Sequence, residues 1–273
     1  MKHERREPRD RALRIDKVLV DRGLADSRTK AQALVMAGVV LVDEQRINKP
    51  SDTVSPDANV RIKGGDDPSS RYVGRGGLKL ETALHKFEID VNGFECLDVG
   101  ASTGGFTDCL LQHGAIHVVA LDVGHNQIDY RLRTDARVEV REGVNARHLQ
   151  PNDFKHQFDL IVMDVSFISA TKVMPALVSL MKDAGRLITL IKPQFEVGRG
   201  EVGKGGIVRD PDKHARVIAE VNQAAQDLGL QTKKVIESPI HGADGNVEFL
   251  ALYERSQLPT RSGFTPDVAP QSR

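Results

Sequence analysis

The sequence contains no tryptophan, only two cysteines and no long apolar stretch. Its longest apolar run without a charged residue covers positions 33–42, whereas a membrane-spanning helix needs about 20 residues. The first ten residues, MKHERREPRD, are charged and lack the apolar centre of a secretory signal. These absences predict a cytoplasmic protein without a membrane partner, in which Cys96 and Cys109 are reduced packing residues.

The chain also has no excess of positive or negative charge. Lysine and arginine total 38, aspartate and glutamate also total 38, and the formal net charge is therefore zero. Overall electrostatics consequently gives no sign of a nucleic-acid partner. Residues 1–50 hold 12 basic and 8 acidic side chains, so any RNA-binding surface must be local. No metal site and no stable protein partner are predicted.

Gly, Pro, Asp and Ser cluster in KGGDDPSS, residues 63–70, as is typical of a linker. This divides the chain into a small α+β domain, 12–62, and a larger domain, 71–255, and residues 1–11 and 256–273 are predicted to be disordered. The elements predicted in the small domain are a helix with Ile15, Val18 and Leu19 on one face, a second helix between the cap Ser27 and Gly38, and strands at 39–42, Ile47 and 60–62.

In the larger domain, strand patterns alternate with helix patterns, which predicts an α/β fold with a parallel sheet covered on both faces. The predicted strands are ECLDV, HVVALDV, FDLIVMD, RLITLIK, KKVIES and NVEFLALY. The last two follow each other closely and should form an antiparallel edge. Asp210 and Pro211 begin a helix that presents Ile218, Val221, Ala225 and Leu228 on one face.

A glycine-rich loop after the first of these strands is the predicted cofactor site. Its spacing is G-x-x-x-G, unlike the G-x-G-x-x-G of dinucleotide sites, and the preceding acid would repel a pyrophosphate. S-adenosylmethionine carries a cation instead of phosphates, so an acidic loop suits it. The predicted cofactor-binding residues are Asp98, Gly100, Ala101, Ser102, Thr103, Gly104, Gly105, Phe106, Asp122, Val123 and Asp164.

A second glycine-rich stretch, residues 198–205, nearly matches the phosphate-binding G-x-x-x-x-G-K-[ST] pattern. It fails at the last position, because Gly205 has no hydroxyl for magnesium, and the helix begins only near Asp210. We therefore expect a mobile basic flap beside the active site instead of an ATP site.

Asp164 and Lys192 each end a predicted strand, which places both at the carboxyl edge of the sheet where ligands bind. From position alone they are equally compatible with a structural ion pair and with catalysis. Five motifs extend the argument: GRGGLKLETAL, LDVGASTGGFT, MDVSFIS, LIKPQFEVGRGEVGKGG and DGNVEF. In this order, after an S4-like helix pair, they resemble the TlyA family of ribosomal RNA methyltransferases, whose members often carry haemolysin names.

The resemblance covers roughly residues 12–255. It implies a Rossmann-like S-adenosylmethionine-dependent methyltransferase domain, similar to the FtsJ-type 2′-O-methyltransferases, after an S4 RNA-binding domain. Those enzymes use a Lys-Asp-Lys-Glu tetrad, which the motifs carry over to Lys79, Asp164, Lys192 and Glu248. Lys192 would be the base, Lys79 would orient the ribose hydroxyl, and the two carboxylates would position the amines. A neighbouring lysine and burial favour a neutral amine, whereas the carboxylates oppose it.

The S4-like segment implies binding of structured ribosomal RNA. The predicted RNA-binding residues are Arg14, Arg22, Arg28, Lys30, Arg46 and Lys49. Phe167 lies where amino-methylating enzymes stack the target base after a Pro-Pro pair. Val165 and Ser166 replace those prolines, which favours ribose as acceptor and a core position for Phe167.

The function implied by the resemblance is 2′-O-methylation of ribose in ribosomal RNA, with cytidine as the nucleotide. Two alternatives stay open: methylation of a base nitrogen or a small molecule, and an RNA-binding assembly factor with an inactive methyltransferase domain. The intact tetrad speaks against the assembly factor. A pore-forming haemolysin is disfavoured because no amphipathic span or signal is present.

Overall fold

The computed structural model describes residues 12–25, 27–56, 58–62, 71–198, 200–242 and 245–256. The chain forms two compact units, residues 1–75 and 76–273. The predicted linker, the predicted disordered N-terminus and residues 257–273 of the predicted tail lie outside the described residues. Ser256, which begins that tail, donates its amide N–H to the carbonyl of Gly229 at 2.8 Å.

The first unit is a small α+β domain. Its elements are β1 (Leu13–Arg14), α1 (Ile15–Asp21), α2 (Arg28–Met36), β2 (Val40–Val42), β3 (Gln45–Arg46), β4 (Thr53–Val54) and β5 (Val60–Ile62). The helices pack on two antiparallel sheets, β1-β4 and β3-β2-β5. Ile15, Leu19 and Val35 are fully buried between them. The Ser27 hydroxyl caps α2 by accepting from the Lys30 amide. The strand predicted at Ile47 lies two residues earlier, at 45–46.

The second unit contains the larger sheet. Its elements are α3 (Gly76–Phe87), β6 (Glu95–Val99), α4 (Gly105–Gln112), β7 (His117–Asp122), α5 (Tyr130–Arg133), β8 (Val138–Glu142), β9 (Phe158–Met163), α6 (Met174–Val178), β10 (Met181–Ile191), α7 (Pro193–Glu196), α8 (Pro211–Asp227), β11 (Leu230–Glu237) and β12 (Phe249–Arg255). Short 3-10 helices lie at 146–148, 151–153, 170–172 and 204–206.

The seven strands of this sheet run in the order β11-β12-β10-β9-β6-β7-β8. The strands from β10 to β8 are parallel, whereas β12 pairs antiparallel with both β10 and β11. The predicted α/β class and antiparallel edge are thus confirmed. After β6 the chain turns first to β7 and later to β9 on the other side, so a ligand crevice opens at the carboxyl ends of these strands.

Burial follows the sequence pattern closely. Strand β9 begins at Phe158 and is almost entirely buried, as a central parallel strand should be. Asp210 caps α8 by accepting from the Asp212 amide at 3.0 Å. The buried face of α8 is Val217, Val221 and Ala225, so the predicted Ile218 and Leu228 lie only at its margin.

Both cysteines are free and buried, Cys96 in β6 and Cys109 in α4. Burial raises the pKa of the Cys96 thiol well above its usual range, with neighbouring carboxylates adding to the effect. A packing role fits both thiols. Within the part of the chain that the structure describes, no helix has the length and apolarity to cross a membrane.

Candidate active site

The loop between β6 and α4 carries two glycines with left-handed backbone, Gly100 (φ 87°) and Gly104 (φ 96°). A Cβ on Gly100 would lie 2.3 Å from the Asp164 carbonyl oxygen, and one on Gly104 would lie 2.2 Å from the Leu132 side chain. The loop therefore requires glycine because neighbouring chain packs against it.

A cavity of about 470 Å³ opens beside this loop. It is lined by Val99, Gly100, Ser102, Leu121, Asp122, Val123, Gln127, Val144, Asn145, Ala146, Arg147, Asp164, Val165, Ser166, Phe167, Ile168 and Val173. A smaller recess of about 130 Å³ is lined by Gly76, Gly100, Ala101, Ser102, Thr103, Gly105, Phe106 and Asp164. Of the predicted cofactor residues, only Asp98 and Gly104 line neither space.

Asp122 ends β7 at the cavity wall. Its two carboxylate oxygens accept backbone N–H groups, Oδ2 from Ser102 at 2.8 Å and Oδ1 from Gly124 at 2.7 Å. Each oxygen retains a second lone pair. The carboxylate is therefore fixed in orientation and can still accept a hydroxyl group from the cavity.

Asp98 lies beneath the loop and is completely buried. Its Oδ2 accepts a hydrogen bond from the Thr107 hydroxyl at 2.7 Å, and its Oδ1 has no hydrogen-bond partner among the described residues. Burial raises the pKa of Asp98 to about 7, and the charge of nearby Asp164 adds to this, while the Thr107 hydrogen bond opposes it. A nearby cation would favour the ionised carboxylate.

Two lysine–carboxylate pairs form at the carboxyl edge of the sheet. Lys192 Nζ lies 2.5 Å from Asp164 Oδ1 and donates a hydrogen bond to Ser166 Oγ at 2.9 Å. Lys79, in α3, donates from Nζ to Glu248 Oε2 at 2.5 Å. Lys79, Lys192 and Glu248 are all buried. Each of the four tetrad residues is thus paired with another of the four.

Strand register brings the two pairs together. In the antiparallel ladder between β10 and β12, Ile191 pairs with Phe249. Lys192 directly follows Ile191 and Glu248 directly precedes Phe249, so both lie at the same end of this ladder. The structure therefore gathers Lys79, Asp164, Lys192 and Glu248 at one edge, although four separate elements supply them.

Phe167 is the clearest error of the sequence interpretation. The residue was expected in the core, yet 91% of its surface is exposed to solvent. Its backbone has a left-handed φ of 63°, and its ring lies 5.2 Å from the Phe195 ring. The chain turns outward at this residue, so an aromatic face stands at the mouth of the cavity.

The glycine-rich segment after α7 does not form a phosphate-binding loop, since α8 begins at Pro211 rather than next to Lys204. It is held by Asn246, which is buried. The Asn246 amide accepts from the Val208 N–H at 2.9 Å and donates to the Gly206 carbonyl at 3.0 Å. This segment is thereby joined to the chain that leads through Glu248 into β12.

Sequence reasoning missed one wall of the main cavity, formed by Val144, Asn145 and Ala146. These residues follow β8, a strand that the interpretation had not recognised. The signal was present: Val138 and Val140 alternate with charged residues in VEVRE, as in a half-buried edge strand.

The predicted RNA-binding residues all belong to the first unit, and several also have structural partners. Arg14 and Arg28 donate to the buried carboxylate of Asp16, and Arg22 donates to the carbonyls of Ala58 and Pro56. The Arg14 hydrogen bond in particular holds the pKa of Asp16 far below its usual range, against the effect of burial. Lys30, Arg46 and Lys49 are exposed, and the Arg46 guanidinium lies over Gly38.

Comparison with known proteins agrees with this architecture. The FtsJ-like methyltransferase family matches residues 72–255, and the S4 domain family matches residues 13–60. The 16S/23S rRNA (cytidine-2'-O)-methyltransferase TlyA of Mycobacterium tuberculosis is 47% identical to this chain, over 90% of it and 91% of that protein. Hemolysin A of Brachyspira hyodysenteriae is 42% identical, over 88% of this chain and 99% of its own.

A solved structure supports the same assignment. A protein from Streptococcus thermophilus that carries a hemolysin name aligns with a TM-score of 0.70 at 41% identity, covering 92% of this chain and 91% of its own. The family matches and these relatives span both units. The chain therefore belongs to the TlyA family of rRNA methyltransferases, with an S4 domain followed by an FtsJ-like methyltransferase domain.

Proposed function

We propose that this protein transfers a methyl group from S-adenosylmethionine to the 2′-hydroxyl of a cytidine ribose in ribosomal RNA, in the cytoplasm where ribosomes assemble. The observation that carries the proposal is the pair of buried lysines, each held by a carboxylate: Lys192 by Asp164, which lines the cavity, and Lys79 by Glu248. The cytidine named for the relative from Mycobacterium tuberculosis supports the choice of nucleotide.

The residues around the cavity fit S-adenosylmethionine. Asp98 lines neither space, but its buried carboxylate lies two residues before Gly100 of the loop and has one oxygen without a partner among the described residues, so its charge suits a cationic ligand beside the loop. Asp122 offers carboxylate lone pairs for ribose hydroxyls, and the apolar Val123, Val144 and Ala146 border the space. A volume of about 470 Å³ lies within the usual range for a cofactor site.

When bound, S-adenosylmethionine supplies a methyl group on a positively charged sulfur. Transfer of that methyl group to the ribose oxygen would break its bond to sulfur and release S-adenosylhomocysteine, and Lys192 Nζ would accept the proton that the 2′-hydroxyl loses. A positioned base of this kind contributes about 10²–10⁴ to a rate. Asp164 holds the Lys192 amine in place through their 2.5 Å contact and borders the cofactor cavity, so one carboxylate fixes the base relative to the methyl donor.

Lys79 acts through its position and charge. Its buried ion pair with Glu248 directs the ammonium group, and Glu248 and Lys192 adjoin the last residue pair of the β10–β12 ladder. Lys79 therefore orients the hydroxyl oxygen.

The RNA is bound in two ways. Exposed Arg46, Lys30 and Lys49 of the S4 unit suit phosphates and 2′-hydroxyls, which report RNA shape instead of sequence. The exposed ring of Phe167 at the mouth of the cavity suits stacking of a base turned out of its helix. Stacking on Phe167 would hold the nucleotide while its sugar faces the lysines.

The test is methyl transfer from radiolabelled S-adenosylmethionine to unmodified ribosomal subunits, followed by complete digestion and mass spectrometry of the nucleosides. We expect label on the ribose of cytidine. Label on a base nitrogen would contradict the assignment of the acceptor. Tight binding of subunits without transfer, together with measurable binding of S-adenosylmethionine, would instead support an assembly factor that lacks activity.

A further inference from the structure

Ser166 is the second partner of the proposed base. Its Oγ lies 2.9 Å from Lys192 Nζ, and the Asp164 carboxylate lies 2.5 Å from the same nitrogen. Lys192 is 9% exposed, whereas Ser166 lies at the exposed mouth of the site. The buried amine therefore meets one oxygen from Asp164 and one from Ser166.

The number of partners matters because a base needs a free lone pair. A neutral amine has two N–H bonds and one lone pair in a tetrahedral arrangement, and an ammonium has three N–H bonds. Ser166 Oγ accepts an N–H of Lys192, whereas Asp164 Oδ1 faces the same nitrogen as an ion-pair partner without a hydrogen bond. The bond to Ser166 therefore fixes the direction of one N–H, and without it the amine can rotate and turn its lone pair away from the acceptor.

The loop that carries Ser166 is held in place by contacts of the residues that follow Ser166. Phe167 has a left-handed φ of 63°, an unfavourable backbone that persists only where surrounding contacts hold it. Glu196, four residues after Lys192, supplies such contacts: its Oε2 accepts from the Ser169 hydroxyl at 2.5 Å and its Oε1 accepts from the Ala170 amide at 2.7 Å. The loop with Ser166 and the turn with Lys192 are thus fastened to each other at two points.

We propose that Ser166 is a positioning residue that directs the lone pair of Lys192 toward the ribose hydroxyl, and that Glu196 holds the Ser166 loop in place. This inference rests on the proposed function. It also gives a chemical reason for serine where amino-methylating enzymes have proline, because proline could neither accept nor donate a hydrogen bond through its side chain.

The test compares Ser166→Ala, Ser166→Thr and the control Ser179→Ala in steady-state methylation of ribosomal subunits. Ser179 is an exposed serine at the end of α6, bonded to the Ala176 carbonyl. We expect Ser166→Ala to lower kcat by about tenfold to a hundredfold, a part of the full effect of a positioned base. The KM values for subunits and for S-adenosylmethionine should stay within about twofold.

Ser166→Thr keeps the hydroxyl and should restore kcat to within about threefold of wild type, as Ser179→Ala should also. Equal losses for alanine and threonine would overturn the inference, since the defect would then come from a disturbed loop. Full activity of Ser166→Ala would overturn it as well. The proposed function fails separately, in the wild-type protein, if the methyl group is found on a base or is not transferred.

Discussion

Lys79 and Glu248 are separated by 169 positions in the chain, yet their side chains form a buried hydrogen-bonded ion pair of 2.5 Å. The pair joins α3 to the residue that directly precedes β12. Removing one partner of a buried pair leaves an uncompensated charge in a low-dielectric site. The tetrad should therefore contribute to stability as well as to catalysis.

We expect Lys79→Met and Glu248→Leu each to lower the free energy of unfolding by about 3–5 kcal/mol. The double variant should recover most of this loss, because no buried charge is left unpaired. Chemical denaturation of the wild type and the three variants gives the coupling energy as a double-mutant cycle. Single variants within about 1 kcal/mol of wild type would show that the pair is not formed in solution.

Burial raises the pKa of Asp98 to about 7, which predicts pH-dependent cofactor binding. A cationic ligand favours the ionised carboxylate, so affinity should rise as pH rises. For a group with this pKa, S-adenosylmethionine should bind about tenfold more tightly at pH 8 than at pH 6. Calorimetric titration of the wild type and of Asp98→Asn measures this directly, and the variant should bind weakly with little pH dependence.

Ionisation of Asp98 should lower the stability of the ligand-free protein, although it favours cofactor binding. Because its pKa is raised above the unfolded value of about 4, the stability that Asp98 contributes is complete below pH 4 and is lost as pH rises through 7. The ligand-free wild type should thus lose stability between pH 5 and pH 8 relative to Asp98→Asn. An identical pH dependence in both proteins would contradict the buried position of this carboxylate.

How far the sequence predicts this site depends on the kind of signal each residue gives. Asp122, Asp164 and Lys192 each end a strand in the sequence pattern, and strand ends of a parallel sheet share one edge, so their convergence was predictable. Glu248 and Lys79 carry no such positional signal. Only motif resemblance placed them in the tetrad, and only the β10–β12 register explains why Glu248 lies at the same end of the sheet as Lys192.

The exposure of Phe167 could not be predicted from the sequence, because it depends on one backbone torsion angle. An aromatic residue after an apolar strand is ordinarily buried, and nothing local in MDVSFIS indicates a left-handed φ. The turn depends on tertiary contacts with Phe195 and on the Glu196 bonds to the following loop. Those partners lie almost thirty positions away, beyond the reach of pattern reasoning.

Asp16 is predicted to hold the S4 unit together. Its buried carboxylate accepts from Arg14, Arg28 and Gln32, and we expect Asp16→Asn to destabilise this unit by about 1–3 kcal/mol. Because its pKa is lowered, this contribution is present above about pH 4 and is lost as pH falls further.

Amide hydrogen exchange in α1 and α2 of the full chain measures this local stability. Protection should fall in Asp16→Asn at pH 7, and the difference from wild type should shrink below pH 4. Asp21→Asn, an exposed aspartate in the same helix, should leave protection unchanged. Equal effects at both positions would show that Asp16 has no special role.

Asn246 is predicted to fasten the glycine-rich segment to the active site. Asn246→Ala leaves the Val208 N–H and the Gly206 carbonyl without their partner, which should cost about 1–3 kcal/mol. Local release of the segment should also speed tryptic cleavage after the exposed Lys204. The exposed Asn152→Ala serves as control, and unchanged cleavage in Asn246→Ala would contradict this attachment.

If Lys192 removes the proton from the ribose hydroxyl, the rate of single-turnover methylation must depend on its amine. Wild type, Lys192→Met and the exposed control Lys155→Met are each mixed with ribosomal subunits and saturating S-adenosylmethionine, and the rate of ribose methylation is measured. The account predicts a rate about 10²–10⁴ lower for Lys192→Met, with Lys155→Met unchanged and with unaltered binding of subunits. A Lys192→Met rate within about threefold of wild type would contradict it.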